Sequence, residues 1–311
     1  MLIQDLSSMV EAAKDRGPVP AAVVAADDPE VLTSLVEAQQ AGIVRGHLVG
    51  DCTTIEAIAQ REQLDLRGMT LIQESDHARA ARCAVAMVRN GEASIVVKGQ
   101  LKTAEFLAPV LDRDEGLRTR KLLSHVAIFE IPNRGRLLYI SDSGVVLYPT
   151  WEQKLEIIRG VVDLAHHFGI PTPKVAILGS TERISPSQPV GVEALMLSKM
   201  AEQGWVENAI VEGPLSIDVA LNPRAAHVKG LRTAMAGTAD ILIVPSVESG
   251  NIMCKAMQYF AGARMAGLII GARAPIIINS RADDAETRFL SLAMAALWSQ
   301  CESGAVPIRP L

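Results

Sequence analysis

Residues 239–290 read ADILIVPSVESGNIMCKAMQYFAGARMAGLIIGARAPIIINSRADDAETRFL. Three apolar runs stand out, ILIVP, GLII and PIIIN. The first and last run straight into the polar turns SVESGN and SRADD, and apolar residues at helical spacing follow each turn. Strand, turn and helix in that order predict an open α/β sheet whose ligand site lies beyond the carboxyl ends of its strands. Ser280 and Arg281 stand at one such end, with Asp283, Asp284 and Glu286 close behind.

Working outward, the same alternation covers the chain. PAAVVAA predicts a first strand, and Asp28-Pro29 supplies a capping acid followed by proline at the first helical position. RGHLVG and MTLIQ are the next strands, with a helix opened between them by a capping box at Thr53 and Glu56. A long alanine-rich helix starts at Ser75 and stops at Asn90-Gly91. ASIVVKG then ends a buried strand at Lys98-Gly99, and Lys102-Thr103 opens the next helix. HVAIFEI and RLLYISD are separated only by a short turn and predict an antiparallel pair. In SDSGVVLYPTWEQK the residues Gly144 and Pro149 interrupt the pattern, and Thr150 with Gln153 caps a new helix.

That break marks the expected domain junction, and with no long linker the two halves are expected to be in intimate contact. The closing helix AETRFLSLAMAALWSQ is expected to return and pack on the first domain.

Composition agrees with an α/β class and narrows the function. Of 311 residues 49% are hydrophobic and only 4% aromatic, so the core must be aliphatic, as in parallel sheets covered on both faces. A formal charge of −5 gives no general basic face for nucleic acid. No apolar run reaches membrane-spanning length, and the N-terminal stretch reads as an amphipathic helix. Cys52, Cys83, Cys254 and Cys301 are too widely spaced for a metal site or a redox pair and read as reduced thiols of a cytoplasmic protein. His166 and His167 point apart on one helix and suit its C-terminal end better than a metal.

Phosphate-loop, dinucleotide and G-x-S-x-G patterns are missing. What remains is a set of anion-friendly positions: Lys98, Lys102 and Thr103; Ser249, Gly250 and Asn251; Ser280 and Arg281. Lysines beside a helix start can hold phosphate through charge and free N–H groups together, although ordinary solvated lysines would look the same in sequence. Arg281 offers a planar fork for phosphate, Ser280 a donor for an oxyanion, and the acids after it a general base. Cys254 lies one turn inside a helix and reads as a packed core cysteine. These residues by themselves leave acyl transfer to phosphate, oxidation of a hydroxy-diacid and simple ligand binding all open.

The stretches KGQLKT, GLRTRKLLSHVAIFE, LSKMAEQG, VEGPLSIDVAL, ADILIVPSVESGNIMCKAM and APIIINSRADDAETR, taken in order, carry a more specific signal. Together they resemble the phosphate acetyltransferase/butyryltransferase family, and more closely its butyryltransferase branch. The resemblance implies reversible transfer of an acetyl to butyryl group between coenzyme A and inorganic phosphate, giving acyl phosphate, by direct transfer in a ternary complex. It implies an isocitrate/isopropylmalate dehydrogenase-like pair of α/β domains, a first of residues 1–146 plus 281–311 completed by the C-terminal helix and a second of residues 147–280, with the active cleft between them. It also implies a homodimer, with CoA as substrate and no tightly bound cofactor or metal.

Ser280 and Arg281 match the family's Ser-Arg pair, and Ser249-Gly250-Asn251 its S/A-G-N turn, which would hold phosphate or the thiol end of CoA. Two positions depart. The aspartate that serves as base in the acetyltransferase branch corresponds to Thr287 here, so Glu286, which matches the butyryltransferase acid, is the first candidate base and Asp283 the second. In SDSGVVLYPT, Val146 stands where relatives carry asparagine. The competing readings are a non-catalytic binder of acyl-CoA or acyl phosphate and a metal-dependent hydroxy-diacid dehydrogenase, for which neither an acid cluster nor a nucleotide signature is found.

Overall fold

The computed structural model describes residues 2–302; expectations for the Cys301 side chain and for residues 303–311 fall outside it. Two compact units emerge. The terminal unit holds Leu6–Lys121 and the segment from Ala266 onward, and the central unit holds Leu122–Met265 with the first residues up to Asp5.

In chain order the terminal unit begins with α1 (Leu6–Arg16), β1 (Val19–Val24), α2 (Pro29–Gln40), β2 (Val44–Gly50), α3 (Cys52–Arg61), β3 (Thr70–Gln73), α4 (His77–Arg89), β4 (Ile95–Lys98) and α5 (Thr103–Val110). Asp28 caps α2 as expected, its carboxylate accepting from the Val31 N–H at 3.0 Å with Pro29 at the first helical position. The start of α3 differs from the expected capping box at Thr53 and Glu56, because Asp51 occupies the cap position. Asp76 rather than Ser75 caps α4, through the Arg79 N–H at 2.8 Å.

The central unit follows with β5 (Ser124–Glu130), β6 (Leu138–Ser141), α6 (Trp151–His167), β7 (Lys174–Leu178), α7 (Pro189–Met200), β8 (Ile210–Leu215), α8 (Ile217–Leu221), α9 (Pro223–Val228), β9 (Ile241–Ile243) and α10 (Val247–Ala261). The capping box of Thr150 and Gln153 at the start of α6 has both arms. The chain then returns through β10 (Arg264–Ile270), β11 (Ile276–Ile277) and α11 (Ala285–Glu302).

Strands of the terminal unit run in the order β3-β2-β1-β4-β11, with the later part of β10 beyond β11. Every neighbouring pair from β3 to β11 is parallel, and β10 joins β11 antiparallel. Val23, Val24, Leu48, Val49, Ile95 and Val96 are buried, the aliphatic filling that helices on both faces demand. Helix α11 packs against α1 and α2, as expected of the closing helix, and the Arg16 guanidinium donates to the Leu297 carbonyl at 3.3 Å.

The central unit's strands run β5-β6-β9-β7-β8, parallel except for the β5–β6 hairpin. Phe129, Leu138, Ile140, Ala176 and Leu242 sit at the centre of its core.

The unit boundaries fall at 121/122 and 265/266, where the sequence reading placed them at 146/147 and 280/281. Sheet pairing accounts for the difference. Tyr139, Ile140 and Ser141 of β6 pair with Ile241, Leu242 and Ile243, which ties the hairpin to the central strands. Ile276 and Ile277 pair with Val96 and Val97, which ties β11 to the terminal unit. No helix among the described residues is long and apolar enough to cross a membrane.

Candidate active site

Lys98 is the last residue of β4 and only 6% exposed, its ammonium donating to the Gly99 carbonyl at 3.3 Å. The chain then crosses the end of β1 so closely that a Cβ on Gly99 would sit 2.0 Å from the Ala25 carbonyl oxygen and 2.4 Å from that of Val24. Only glycine fits, and the crossing brings Gln100 to Asp28, whose carboxylate accepts from the Gln100 amide at 3.2 Å.

The turn after β11 is tied from several sides. The Ser280 N–H donates to the Asp283 carboxylate at 2.8 Å, and the Asp283 N–H returns to the Ser280 carbonyl at 3.1 Å. Arg288, one turn into α11 and 7% exposed, donates to the Ser280 carbonyl at 2.9 Å and to the Asp283 carbonyl at 3.2 Å. Asp284 accepts from the Thr287 N–H at 2.8 Å and so starts α11. Ser280 and Arg281 are left exposed on the fixed turn.

The three acids after the serine therefore separate by role. Asp283 is buried and holds the turn, Asp284 holds the helix start, and Glu286 is exposed on the first turn of α11. Thr287, at the position where the acetyltransferase branch would carry its base, is buried.

The charges of Arg281 and Arg288 both act on Lys98. Burial is the main reason the Lys98 ammonium has a pKa below its ordinary value, and the positive charges of Arg281 and Arg288 push it the same way, with Asp28 opposing. Among the described residues none of the three cations has a carboxylate within ion-pair distance. Buried or clustered charge without a partner is costly, so this arrangement fits an anion. Lys102 behaves differently. At the cap position of α5 its side chain is exposed, reaching Glu105 at 3.9 Å; Thr103 follows, exposed, as the first residue of the helix.

In the central unit, α10 begins earlier than the sequence suggested. Ser246 is its cap residue, so Ser249, Gly250 and Asn251 lie within the helix rather than in a turn before it. The Ser249 hydroxyl donates to the Ser246 carbonyl at 2.8 Å and accepts from the Ser246 N–H at 3.2 Å, while the Gly250 N–H bonds the Ser246 carbonyl at 3.1 Å. These groups serve the helix, which removes Ser249 and Gly250 as ready-made N–H donors of a free helix start.

Gly250 has another task. A Cβ there would meet the Asp142 carbonyl oxygen at 2.7 Å and the Ser143 Cα at 2.9 Å. Asn251 is exposed.

The loop that Gly250 abuts is organised by Asp142, a buried residue that the sequence reading did not single out. Its carboxylate accepts from the N–H groups of Gly144 at 2.7 Å, Val145 at 2.9 Å, Val146 at 3.1 Å and His125 at 3.2 Å. The Ser143 hydroxyl and the His125 ring nitrogen Nδ1 are 2.8 Å apart. Val146, the residue that departs from asparagine, thus keeps its backbone fixed by Asp142 and presents a half-buried side chain. Cys254 is buried, and desolvation pushes its thiol up to about 11, so it is the inert core cysteine expected.

Arg288 also escaped the sequence reading. Its signal, an arginine eight positions after Ser280, looks like an ordinary polar residue of an amphipathic helix until the turn is seen in space.

Comparison with known proteins bears on the whole chain. Residues 76–296 match the family model described as phosphate acetyl/butaryl transferase. The chain is 38% identical over 296 residues to a phosphate butyryltransferase of Clostridium acetobutylicum, covering 95% of this chain and 98% of that protein. It is 37% identical over 294 residues to a phosphate acetyltransferase of Thermotoga maritima, covering 94% and 99%. A crystal structure of a branched-chain phosphotransacylase from Enterococcus faecalis matches with a TM-score of 0.81 at 28% identity, covering 90% of this chain and 99% of that one.

Proposed function

The chain belongs to the phosphate acetyl/butaryl transferase family, and from that premise we propose that it is a phosphate acyltransferase moving an acetyl to butyryl group reversibly between coenzyme A and inorganic phosphate. The observation that carries the reading is the trio of Lys98 at the end of β4, Arg281 in the turn after β11 and Arg288 at the start of α11, without carboxylate partners among the described residues, a charge arrangement suited to a phosphate dianion. A hydroxy-diacid dehydrogenase and a non-catalytic binder have less support, because relatives named as acyltransferases cover 94–95% of the chain.

In the direction of acyl phosphate formation, a phosphate oxygen attacks the thioester carbonyl of acyl-CoA. The C–O bond forms, the carbonyl oxygen takes the negative charge, and the C–S bond then breaks to release CoA thiolate, which is protonated. In reverse, the CoA thiol gives its proton to a base and attacks the acyl phosphate, expelling phosphate. Arg281 grips phosphate through its planar fork, Lys98 adds charge from below, and the Ser280 hydroxyl donates to the oxyanion.

Glu286 is the base in this scheme, because it is exposed on the first turn of α11 close behind Ser280 and Arg281, whereas Asp283 is buried. Lys102, Thr103 and Asn251, all exposed, are the substrate contacts in this scheme, while Ser249 and Gly250 support binding indirectly, Ser249 by securing the start of α10 and Gly250 by letting α10 lie against the Asp142 loop. An isocitrate/isopropylmalate dehydrogenase-like architecture, a homodimer and a cytoplasmic setting, with CoA bound as substrate only, complete the proposal.

A panel of acetyl-, propionyl- and butyryl-CoA, each with and without phosphate, tests it by thiol release from the purified protein. Phosphate-dependent release is expected with at least one of the three. No turnover with any of them would overturn the reading.

A further inference from the structure

We propose that Arg288 is a positioning residue for acyl transfer: by donating to the carbonyls of both Ser280 and Asp283 it fixes the turn that presents the Ser280 hydroxyl and the Arg281 guanidinium. The proposal rests on the acyltransferase reading above and adds a residue that the Ser-Arg pair alone does not include.

Three observations carry it. The first is geometry. Nη2 reaches the Ser280 carbonyl at 2.9 Å and Nε the Asp283 carbonyl at 3.2 Å, so one rigid planar group spans both ends of the turn. Asp283 closes the same turn from the other side through the Ser280 N–H, and with both in place the residues between have little freedom. The second is burial without an ion pair. Arg288 is 7% exposed, and among the described residues no carboxylate pairs with it, although a buried arginine retained only for stability is ordinarily paired. The third is electrostatic neighbourhood. Arg288 and Arg281 both press on Lys98, so the residue that shapes the turn also adds charge where the phosphate would sit.

An ammonium could keep the charge but cannot span two carbonyls with a fixed fork. Lysine at this position should therefore fail to restore the enzyme. Arg288 also lines a small pocket with Ser34, Val97 and Asn279, with room for about one water to satisfy its remaining donors.

The experiment compares wild type, Arg288→Met and Arg288→Lys in phosphate-dependent thiol release, with far-UV circular dichroism to check folding. Both variants are expected to lose about 100-fold or more in kcat while KM for acyl-CoA stays within about threefold. A second readout separates positioning from a loss of folded enzyme. In the wild type, phosphate use should decline as pH rises and Lys98 loses its proton. Arg281 and Arg288 lower that transition and Asp28 raises it, so Arg288→Met should move the alkaline limb of kcat/KM for phosphate to higher pH.

If the wild type itself shows no phosphate-dependent turnover, the acyltransferase reading fails and takes this inference with it. With an active wild type, Arg288→Met within threefold of its kcat, Arg288→Lys at wild-type kcat, or an alkaline limb that stays in place overturns the role of Arg288 alone. Should Arg288→Met not fold, the kcat of Arg288→Lys decides.

Discussion

Lys98 and Lys102 carry the same charge four residues apart in the sequence and end in opposite environments. One is buried at a strand end among arginines and the other is solvated at a helix start. Sequence spacing marked both and could not separate them, because burial of a strand end depends on what crosses it, here the Gly99 segment over β1. The pKa depression of Lys98 gives a definite sign. Below its folded-state pKa the ammonium is charged and available to phosphate, and above it the charge is gone. Phosphate affinity should therefore fall with rising pH, with a midpoint below the ordinary lysine value of about 10.5. Folding responds oppositely: between the lowered folded value and the unfolded one the unfolded chain binds more protons, so this residue's cost to stability is relieved as pH rises through that window. A titration of phosphate KM from pH 7 to 10 in wild type and Lys98→Met tests this, and a pH profile unchanged by the substitution would contradict it. The acids can be separated as directly. Glu286→Gln should lower kcat by about 10²–10⁴, the range of general-base loss. Asp283→Asn keeps an acceptor for the Ser280 N–H and should cost less than about tenfold. The reverse order of effects, read from kcat in the acyl-phosphate-consuming direction, would exchange their roles. Arg281→Ala, at an exposed position, should lose about 10²–10³ in turnover with an unchanged melting temperature. Ser280 and Arg281 were legible because a strand-end serine and arginine suit phosphate chemistry. Arg288 and Asp142 were not, because their partners are backbone groups brought near by the fold.

At the scale of elements, the strand–turn–helix units β4/α5, β9/α10 and β11/α11 follow from the alternation of apolar runs and turn residues. What the pattern misread was the start of α10. SVESGN looks like a continuous turn because glycine disfavours helices and serines favour caps. In the structure the two serines Ser246 and Ser249 secure the helix start reciprocally, and Gly250 is inside the helix because the Asp142 loop leaves no space for a Cβ. Two opposed effects then meet at Gly250→Ala. Helix propensity would gain about 1 kcal/mol, while forcing an atom to 2.7 Å from a backbone oxygen costs about 1–3 kcal/mol in a packed site. The steric term should prevail, giving a lower melting temperature and reduced turnover. Gly99→Ala, with its closest contact at 2.0 Å, should be the more damaging of the two. Thermal unfolding of both variants, read by circular dichroism, checks the order, and an equal or higher melting temperature for Gly99→Ala would contradict it.

For the whole molecule, the α/β class and the return of the C-terminal helix were written in composition and periodicity. The boundaries between units were not. They depend on β6 pairing with β9 and β11 with β4, contacts between residues about a hundred or more positions apart, whereas Gly144 and Pro149 report only a local interruption. The proposed homodimer predicts a sedimentation mass of about twice the 33.3 kDa chain at micromolar concentration, and a monomer under those conditions would remove that part of the proposal. The chemistry itself is tested most directly by ³¹P NMR of the purified protein with butyryl-CoA and inorganic phosphate. An acyl phosphate resonance should grow in step with free thiol, one for one, and vanish in Arg281→Ala. Thiol released without acyl phosphate, or no change in either, would contradict transfer to phosphate.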